Sequence, residues 1–298
     1  MSFDFSQLRS FTEGDRSFFT GLAEQTRWQD CEIAFANLLM WQSVYDEAFF
    51  VADGRAVVVE RRNGLLHFPI GEMPDLAYLR ALSAAARAAG FRGDYYDAPP
   101  EVLRQIPEIG DFYEIVEDED AFDYLYDLEQ LEQLSGPLLR KKRNLVRQFE
   151  RNVPDFQVHP ITVENLDAVV VFAKELNAKL HQADFLAEEN EAMETMAQFF
   201  VPAGLGGILL TDGSGTPLGF SVWSLIGNGV WDIHFEKADH AVKGAPQMLV
   251  VQLAAALRKL GGTRMNREQD MGEPGLRQAK RSLDPCGMYR RIYLREKC

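Results

Sequence analysis

The sequence predicts a mixed α/β (α+β) fold in which short antiparallel strands alternate with amphipathic helices. Two turn signals, Asp53-Gly54 and Asp212-Gly213-Ser214-Gly215, each separate two apolar runs of strand length. The order of elements also repeats, because each half contains a helix, antiparallel strands, a further helix and late strands. We therefore expect two related domains, one at residues 1–130 and one at residues 131–298, with mixed and mostly antiparallel sheets.

In the first half, Asp15 can cap a helix over residues 15–27, and Phe18, Phe19 and Leu22 recur there at helical spacing. An apolar cluster around Asn37 follows and has no clear period. An Ala-rich amphipathic helix is expected at residues 75–89, where Gly90 ends it. The strands of this half are expected at residues 48–52, 56–60, 65–69, 112–116 and 124–127.

The second half begins with a basic helix that ends before Pro154. A later helix is expected to stop at Gly261-Gly262. The helices are expected at residues 138–151, 163–180, 190–201, 245–260 and 275–282, and the strands at 156–161, 207–211, 218–225, 230–237, 263–266 and 289–294.

The composition is that of an ordinary globular protein. Of its residues, 46% are hydrophobic and 26% are charged. The length of 298 residues is enough for two domains. No apolar run approaches the roughly 20 residues of a membrane helix, so we expect no integral membrane segment. The N-terminus lacks the pattern of a signal peptide. The three cysteines are odd in number and lack metal spacing, which predicts reduced thiols, a cytoplasmic location and no metal site.

The charge distribution indicates an anionic ligand rather than a general nucleic-acid partner. The net charge is −14, which disfavours non-specific binding to nucleic acid. Two segments are nevertheless basic: residues 134–151, with six basic residues and one acid, and residues 264–298, with nine basic residues and five acids. Two such islands suggest a phosphate group as ligand, and the alternative is that both are solvated helix faces.

Three groups of residues resemble the C-terminal domain of phosphatidylglycerol lysyltransferases and their soluble bacterial relatives. The resemblance covers nearly the whole chain, and the third group is the most specific. The groups are Tyr124-Leu125-Tyr126 with Lys141-Lys142-Arg143-Asn144; Lys243-Gly244-Ala245 with Gln247; and Asn266-Arg267-Glu268-Gln269-Asp270-Met271-Gly272 with Gly275-Leu276-Arg277 and Ala279-Lys280.

This resemblance implies two tandem GNAT-like acyltransferase domains, a layout shared with the Fem-type aminoacyltransferases. Membrane members of the family move an aminoacyl group from a charged tRNA to a lipid headgroup, whereas this chain lacks their membrane region. In GNAT enzymes, the loop at the position of Lys243, Gly244 and Ala245 holds the pyrophosphate of coenzyme A. A helix N-terminus with a nearby lysine suits an anion, and the alternative is an ordinary helix cap.

Two pairs of residues are candidates for acid–base work. Asp232 and His234 alternate with apolar residues, so both face one side of a strand, where they would deprotonate an amine nucleophile. Glu268 and Asp270 are also two residues apart and would accept that proton or hold a cationic amino group. The alternatives are a satisfied histidine on the sheet surface and a network of surface ion pairs.

A further set of polar side chains is expected to bind the substrate. Their cationic and amide groups suit phosphate oxygens, unless they only solvate helices. The set comprises Asn266, Arg267, Arg277, Lys280, Arg281, Lys142, Arg143 and Asn144.

These features together predict an acyl- or aminoacyltransferase in which an amine or hydroxyl acceptor attacks the activated donor directly. The expected donor is a coenzyme A thioester or an aminoacyl-tRNA, of which the acidic chain would approach only the acceptor end. Motifs of a covalent acyl-enzyme are absent from the sequence. The alternatives are a catalytically inactive GNAT-like module that binds a phosphorylated or aminoacylated ligand, and an interaction protein that uses the acidic first domain.

Overall fold

The computed structural model describes residues 3–179 and 183–297, and its described residues form two compact units. The first unit comprises the chain up to Asp123, residues 226–228, and the chain from Tyr289 onward. The second unit comprises residues 124–225 and 229–288. The division expected at residue 130 stays a prediction for the domains, but one element of the second range, the last strand, lies in the first unit.

The elements of the described residues follow the expected alternation of helices and strands. The α-helices are α1 Arg16–Thr26, α2 Phe35–Tyr45, α3 Leu76–Ala88, α4 Val102–Gln105, α5 Ile109–Phe112, α6 Leu128–Gln133, α7 Arg140–Asn152, α8 Leu166–Asn177, α9 Ala183–Phe199, α10 Ala245–Lys259 and α11 Pro274–Arg281. The strands are β1 Glu47–Ala52, β2 Arg55–Glu60, β3 Leu65–Leu66, β4 Tyr95–Ala98, β5 Tyr113–Val116, β6 Asp123–Asp127, β7 Gln157–Pro160, β8 Gly206–Thr211, β9 Pro217–Gly227, β10 Val230–Ala238, β11 Arg264–Asn266, β12 Gly287–Tyr289 and β13 Ile292–Glu296.

The first unit contains a six-stranded sheet in the order β1-β2-β3-β4-β13-β5. The predicted hairpin at Asp53-Gly54 is confirmed, because both residues have positive φ and β1 pairs antiparallel with β2. The last strand was expected with the second half of the chain. Instead, β13 lies between β4 and β5 and pairs antiparallel with both. Its pattern of alternating burial fits a strand in either sheet, so the sequence could not assign it.

The second unit contains a seven-stranded sheet in the order β12-β6-β11-β10-β9-β8-β7. Strands β10 and β11 are parallel, and their register ends at the pair Asp232 and Asn266. Strand β10 continues to Ala238 without β11, so the two strands separate beyond this pair. Helix α10 packs beside this region, and its buried Leu249 and Leu253 belong to the core of the unit. The gap between the separated strands positions the candidate site.

Helices α2, α4, α5 and α6 and strand β4 were not predicted from the sequence. Helix α2 is buried on nearly all sides, so its apolar residues show no helical period. Helices α4 and α5 have four residues each and are too short for periodicity to reveal them. The helices expected at residues 75–89 and 245–260 are confirmed as α3 and α10, and the Asp75 side chain caps α3 by accepting from the Tyr78 amide at 2.7 Å.

A buried arginine joins the C-terminal segment to the body of the first unit. Arg291, directly before β13, contacts Asp30 at 3.0 Å, Glu32 at 2.8 Å and Asp123 at 2.5 Å. Its Nη2 also donates to Cys31 Sγ at 3.0 Å. The ligand atoms of Asp30, Cys31 and Asp123 lie within 4.8 Å of one another, a spacing that suits a cation. The guanidinium of Arg291 already supplies positive charge to all three.

A second buried ionic group lies in the same unit. His67 is fully buried, and its Nδ1 and Nε2 lie 2.8 Å from Asp97 and 3.1 Å from Glu47. Burial alone would lower the pKa of His67, but the two carboxylates raise it well above its ordinary value. The histidine is therefore an imidazolium that donates to both acids.

We expect Arg291→Ala to destabilise the protein by about 3–5 kcal/mol, because it leaves buried carboxylates without their cation. The matched control is Arg290→Ala. Arg290 pairs with Glu117 on the surface and should contribute less than about 1 kcal/mol. Urea denaturation followed by circular dichroism measures both changes. Equal destabilisation by the two variants would contradict the structural role of Arg291.

The His67 imidazolium predicts a pH dependence of stability. Its pKa is higher in the folded state, so its contribution is complete below about pH 6.5 and is lost as pH rises through the folded-state pKa. Burial also raises the pKa of Asp30 and of Glu32. Of these two acids, Glu32 also responds to the charge of His67, which lowers its pKa, and His67→Gln removes that effect. The stability difference between wild type and variant should therefore shrink above neutral pH. Urea midpoints measured across this range test it, and a constant difference would refute it.

Candidate functional site

The polar face of β10 forms the centre of the candidate site. Asp232, His234 and Glu236 are two residues apart and share one face, as the alternation predicted for the first two. The Asp232 side chain is fully buried, and Asn266 lies opposite it in the parallel register. Successive members of this row are about 7 Å apart along the strand. The row therefore leads from the end of the β10–β11 pairing into the gap between the strands.

Glu268 is held in a strained backbone conformation directly after β11. Its φ is +56°, a left-handed value that costs a non-glycine residue about 1–3 kcal/mol. Three contacts fix this geometry. The Glu268 amide donates to Asn266 Oδ1 at 2.7 Å, and its carbonyl accepts from the Tyr124 amide at 3.2 Å and from Lys280 Nζ at 3.3 Å. These three contacts fix the backbone from which the Glu268 side chain projects.

The carboxylate of Glu268 faces His234. Its Oε1 lies 3.7 Å from His234 Nδ1, which is also 3.5 Å from Asp232 Oδ2. Within the described ranges, Glu268 Oε1 and His234 Nδ1 are both buried and neither has a hydrogen-bond partner. The other ring nitrogen, Nε2, lies 2.8 Å from Ser224 Oγ, which fixes the ring. Two adjacent buried polar atoms without protein partners leave hydrogen-bonding capacity that a ligand can use.

Asp270 does not share this position, although it is two residues from Glu268. Its carboxylate accepts two hydrogen bonds from Arg277, at 2.8 and 2.7 Å, and one from the Tyr124 hydroxyl at 2.6 Å. The Gly272 amide donates to it at 3.0 Å. The Arg277 hydrogen bonds hold the pKa of Asp270 well below its ordinary value. Such a carboxylate is a poor base, and it stabilises the loop that carries Glu268.

Lys280 also stabilises the loop that carries Glu268. The residue is buried, and its ammonium group donates to the backbone carbonyls of Arg267 and Glu268. These two hydrogen bonds are to backbone carbonyl oxygens, so the charge of Lys280 stabilises the turn at Glu268. The sequence alone indicated a phosphate ligand for this lysine, and that role stays a prediction.

A cavity of about 650 Å³ opens where β10 and β11 separate. Its lining combines cationic and apolar side chains from β10, α7, α8, α10 and α11, a mixture typical of small-molecule sites. The residues that matter for charge are Lys142, Lys179, Glu236, Lys237, Asp239, His240 and Arg267.

Two cations of the cavity lining, Arg267 and Lys142, lie close enough for the charge of one to act on the other. Arg267 Nη2 donates to Glu236 Oε1 at 2.6 Å, whereas Arg267 Nη1 and Glu236 Oε2 are buried without hydrogen-bond partners in the described part of the chain. Lys142 Nζ donates to Ser282 Oγ at 2.8 Å. Burial and the charge of Arg267 lower the pKa of Lys142. An anionic group in the cavity would relieve the repulsion between these two cations and satisfy Arg267 Nη1.

The other predicted binding residues lie elsewhere in the second unit. Arg143 donates to the carbonyls of Leu134 and Gly136, which anchors α7 to the preceding loop. Asn144 is exposed on α7. Arg281 is also exposed, and its charge acts on the Tyr124 hydroxyl. Of the four cations Lys243, Arg267, Lys280 and Arg281 that the sequence analysis proposed for anion or substrate binding, Arg267 lines the cavity.

The predicted pyrophosphate loop is shaped by packing against α7. Gly244 has φ +90°, and a Cβ there would lie 2.3 Å from the Leu145 carbonyl oxygen. Ala245 is fully buried at the start of α10, and Lys243 is exposed. The glycine therefore permits the close approach of two helices, while Pro246 of α10 lines the cavity. A pyrophosphate at this loop stays a prediction.

Sequence reasoning missed Glu236, Ser224 and Lys237. Glu236 continues the alternation of Asp232 and His234, so that signal was present in the sequence. Ser224 and Lys237 carry no local signal. Ser224 reaches His234 only through the pairing of neighbouring strands, and Lys237 contacts Glu189 of α9 at 2.8 Å.

Comparisons with known proteins agree with this architecture. The family model described as phosphatidylglycerol lysyltransferase, C-terminal, matches residues 24–293. A conserved protein of unknown function from Bacteroides thetaiotaomicron VPI-5482 has a TM-score of 0.90 and 25% identity, covering 98% of this chain and 99% of its own. No curated protein matches the sequence.

Two more distant structures share the fold. The C-terminal domain of a putative lysylphosphatidylglycerol synthetase from Agrobacterium fabrum has a TM-score of 0.67 and 15% identity, covering 96% of this chain and 93% of its own. FemX has a TM-score of 0.56 and 10% identity, covering 98% of this chain and 97% of its own. The expected mixed α/β, GNAT-like fold is thereby confirmed. None of the described helices has the length and apolar character needed to cross a bilayer.

The structure separates the roles of the two neighbouring acids, Glu268 and Asp270. We expect Asp270→Asn to destabilise the protein by about 2–3 kcal/mol, because it weakens the charged hydrogen bonds with Arg277. Glu268→Gln should change stability by less than about 1 kcal/mol, because its Oε1 has no hydrogen bond to lose. Urea denaturation of both variants measures the difference. A larger loss in Glu268→Gln than in Asp270→Asn would reverse this assignment.

Proposed function

This chain belongs to the family of the C-terminal domain of phosphatidylglycerol lysyltransferases, and from that premise we propose that it transfers an aminoacyl group from an activated ester to a hydroxyl or amine acceptor. The observation that carries the proposal is the clamped, left-handed backbone of Glu268 beside His234. Strain of this kind is concentrated at functional sites, where surrounding contacts maintain it. We also propose that the reaction takes place in the cytosol, where aminoacyl esters of tRNA are made.

Glu268 is the proposed proton acceptor. The acceptor's hydroxyl or amine must lose a proton as it attacks the acyl carbon, and a positioned carboxylate typically contributes 10²- to 10⁴-fold to such a step, to an order of magnitude. The Glu268 side chain is 24% exposed, whereas that of His234 is fully buried. Glu268 therefore meets the acceptor and takes its proton, while His234 Nδ1 accepts a hydrogen bond from the protonated carboxyl. As the donor ester bond breaks, the same proton passes to the ribose oxygen that leaves.

Arg267 and Lys142 are the proposed anion-binding groups. Both line the cavity, and the free Nη1 of Arg267 supplies a donor that no described residue uses. A phosphate oxygen of the acceptor, or of a donor that carries one, would accept from both cations. This contact would position the substrate while the chemistry takes place at Glu268.

We propose a small aminoacyl ester as the donor of the reaction, with a whole charged tRNA as the second candidate. The net charge of −14 is distributed so that only the two basic islands oppose the repulsion of a polyanion. If the chain binds tRNA, the contacts should be confined to the acceptor end and should weaken steeply with salt. Filter binding of lysyl-tRNA at two salt concentrations, beside 2′(3′)-O-lysyl adenosine, discriminates the two donors. Tight and strongly salt-dependent binding of the tRNA would reverse the ranking.

The first prediction for the reaction concerns Glu268. Glu268→Gln should lower kcat about 100-fold or more, because the amide cannot accept the proton. The control is Glu273→Gln, an exposed acid on the same loop, which should stay within about twofold. The assay follows radiolabelled lysine from lysyl-tRNA or lysyl adenosine to phosphatidylglycerol. Full activity in Glu268→Gln would remove its catalytic role. Binding without turnover in the wild type would favour the inactive module.

The second prediction concerns the anion site. Lys142→Met should raise KM about tenfold with a smaller effect on kcat, because the lost charge contact holds the substrate before and during the reaction. Lys141→Met is the matched control, since this neighbouring lysine is exposed and does not line the cavity. The same transfer assay measures both. An equal change in the two variants would leave α7 with only a solvating role.

Ser224 provides a test of direct attack. Its hydroxyl lies 2.8 Å from His234 Nε2, as a nucleophile and its base would. Direct attack predicts that Ser224→Ala retains activity within about tenfold, because the serine only orients the ring. Trapping of a lysylated Ser224 by rapid quench and mass spectrometry, with loss of turnover in Ser224→Ala, would instead establish a covalent acyl-enzyme.

A further inference from the structure

One ion pair in the cavity of the second unit uses only half of its hydrogen-bonding atoms. Arg267 Nη2 donates to Glu236 Oε1 at 2.6 Å, and both residues line the cavity. The second nitrogen, Nη1, and the second oxygen, Oε2, are buried and have no hydrogen-bond partner among the described residues. Buried charged groups with unused atoms are costly. The pair therefore presents a cationic donor and an anionic acceptor that a ligand can satisfy together.

A third unsatisfied atom in this cavity belongs to Asn177 of α8, which lines the cavity and is only 3% exposed. Its amide nitrogen donates to Glu189 Oε2 and to Asn190 Oδ1, both at 3.0 Å. The Glu189 carboxylate also pairs with Lys237 at 2.8 Å and accepts only, so the orientation of the amide is fixed. Asn177 Oδ1 is thereby left buried without a hydrogen-bond partner in the described part of the chain, and it adds a second acceptor to that of Glu236.

These unused atoms define a ligand with two unlike ends. At one end, Lys142 of the lining joins Arg267; its Nζ donates to Ser282 Oγ at 2.8 Å and has further N–H donors. Two cations suit a phosphate, whose charge as a monoester is about −1.5 to −2, better than a carboxylate. At the other end, Glu236 Oε2 and Asn177 Oδ1 require donors. A primary ammonium has three of them, and its hydrogen bond to a carboxylate is roughly twice as strong as that of a neutral donor.

We propose that this cavity binds an aminoalkyl phosphate, in which a short carbon chain joins a primary ammonium to a phosphate. The phosphate accepts from Arg267 Nη1 and Lys142 Nζ, and the ammonium donates to Glu236 Oε2 and Asn177 Oδ1. A short chain suffices, because Nη1 and Oε2 belong to one ion pair. The inference rests on the proposed function only for the role of this ligand as a substrate, since the binding itself requires no turnover.

Isothermal titration of the full chain with O-phosphoethanolamine tests the site, and three phosphates serve as comparators. O-Phosphocholine has the positive charge without N–H donors, glycerol 3-phosphate has hydroxyl donors without the charge, and ethyl phosphate has neither. We expect O-phosphoethanolamine to bind at least about tenfold more tightly than each of them. Equal binding of any comparator, or no binding of O-phosphoethanolamine, would overturn the proposal.

The source of the phosphate is tested by sn-glycero-3-phosphoethanolamine, the corresponding diester. Tighter binding of the diester identifies a lipid headgroup, and tighter binding of O-phosphoethanolamine identifies a free monoester; either order supports the site. These titrations and the lysyl-transfer assay fail independently. Binding without turnover removes the proposed function and leaves the site, whereas turnover without selective binding of O-phosphoethanolamine removes the site and leaves the function.

Variants separate the acceptor atoms from a general electrostatic effect. The measure is the ratio of the affinities for O-phosphoethanolamine and ethyl phosphate, because a loss at the phosphate end affects both ligands. Glu236→Gln should reduce this ratio about tenfold, because it removes the charge that the ammonium contacts. The matched control is Asp239→Asn, which removes another charge from the lining. Asp239 Oδ1 already accepts from the Ala241 amide at 2.9 Å, so the ratio should stay within about twofold.

Circular dichroism checks that each variant is folded. If Glu236→Gln is unfolded, Asn177→Leu decides, since it removes the second acceptor and should reduce the same ratio about threefold or more. A wild-type ratio in a folded Glu236→Gln variant, or in Asn177→Leu, would refute the proposal.

Discussion

The candidate site of the second unit depends on the left-handed backbone of Glu268. The turn begins where the β10–β11 register ends, and Asn266, Tyr124 and Lys280 satisfy its amide and carbonyl groups. Without these three contacts, the strain at Glu268 would relax and its carboxylate would move away from His234. The site is therefore maintained by hydrogen bonds to backbone groups, and much of the polar character of residues 266–281 serves this purpose.

The left-handed backbone of Glu268 explains why charged residues that look equivalent in the sequence have different roles. Asp270 is saturated by Arg277 and Tyr124, and Lys280 donates to backbone carbonyls. On the same segment, Glu268 Oε1 and Arg267 Nη1 are buried without a hydrogen-bond partner among the described residues. Asp270 and Lys280 thus use their charged groups to hold the loop, whereas Glu268 and Arg267 retain an unused polar atom.

The sequence predicted most of the architecture but little of this division. Periodicity, the Asp53-Gly54 turn and the helix stop at Gly90 identified elements whose signals are local. Helix α2 and strand β13 were missed or misplaced because burial on all sides and strand pairing at long range leave no local pattern. Glu268, Arg267 and Lys142 were among the candidates, but so were Asp270 and Lys280. Their partners come from β6, β11 and α11, so only the folded chain distinguishes them.

The central claim is that Lys280 acts on the rate through the backbone of Glu268 and does not bind a substrate phosphate. Single-turnover transfer from 2′(3′)-O-lysyl adenosine 5′-monophosphate, a donor that carries a phosphate, by a folded Lys280→Met variant tests it directly, with donor affinity measured by titration. The account predicts a rate constant roughly 10- to 100-fold lower, because Glu268 is misplaced, and an unchanged donor affinity. A loss of donor affinity with an unchanged rate constant would contradict it.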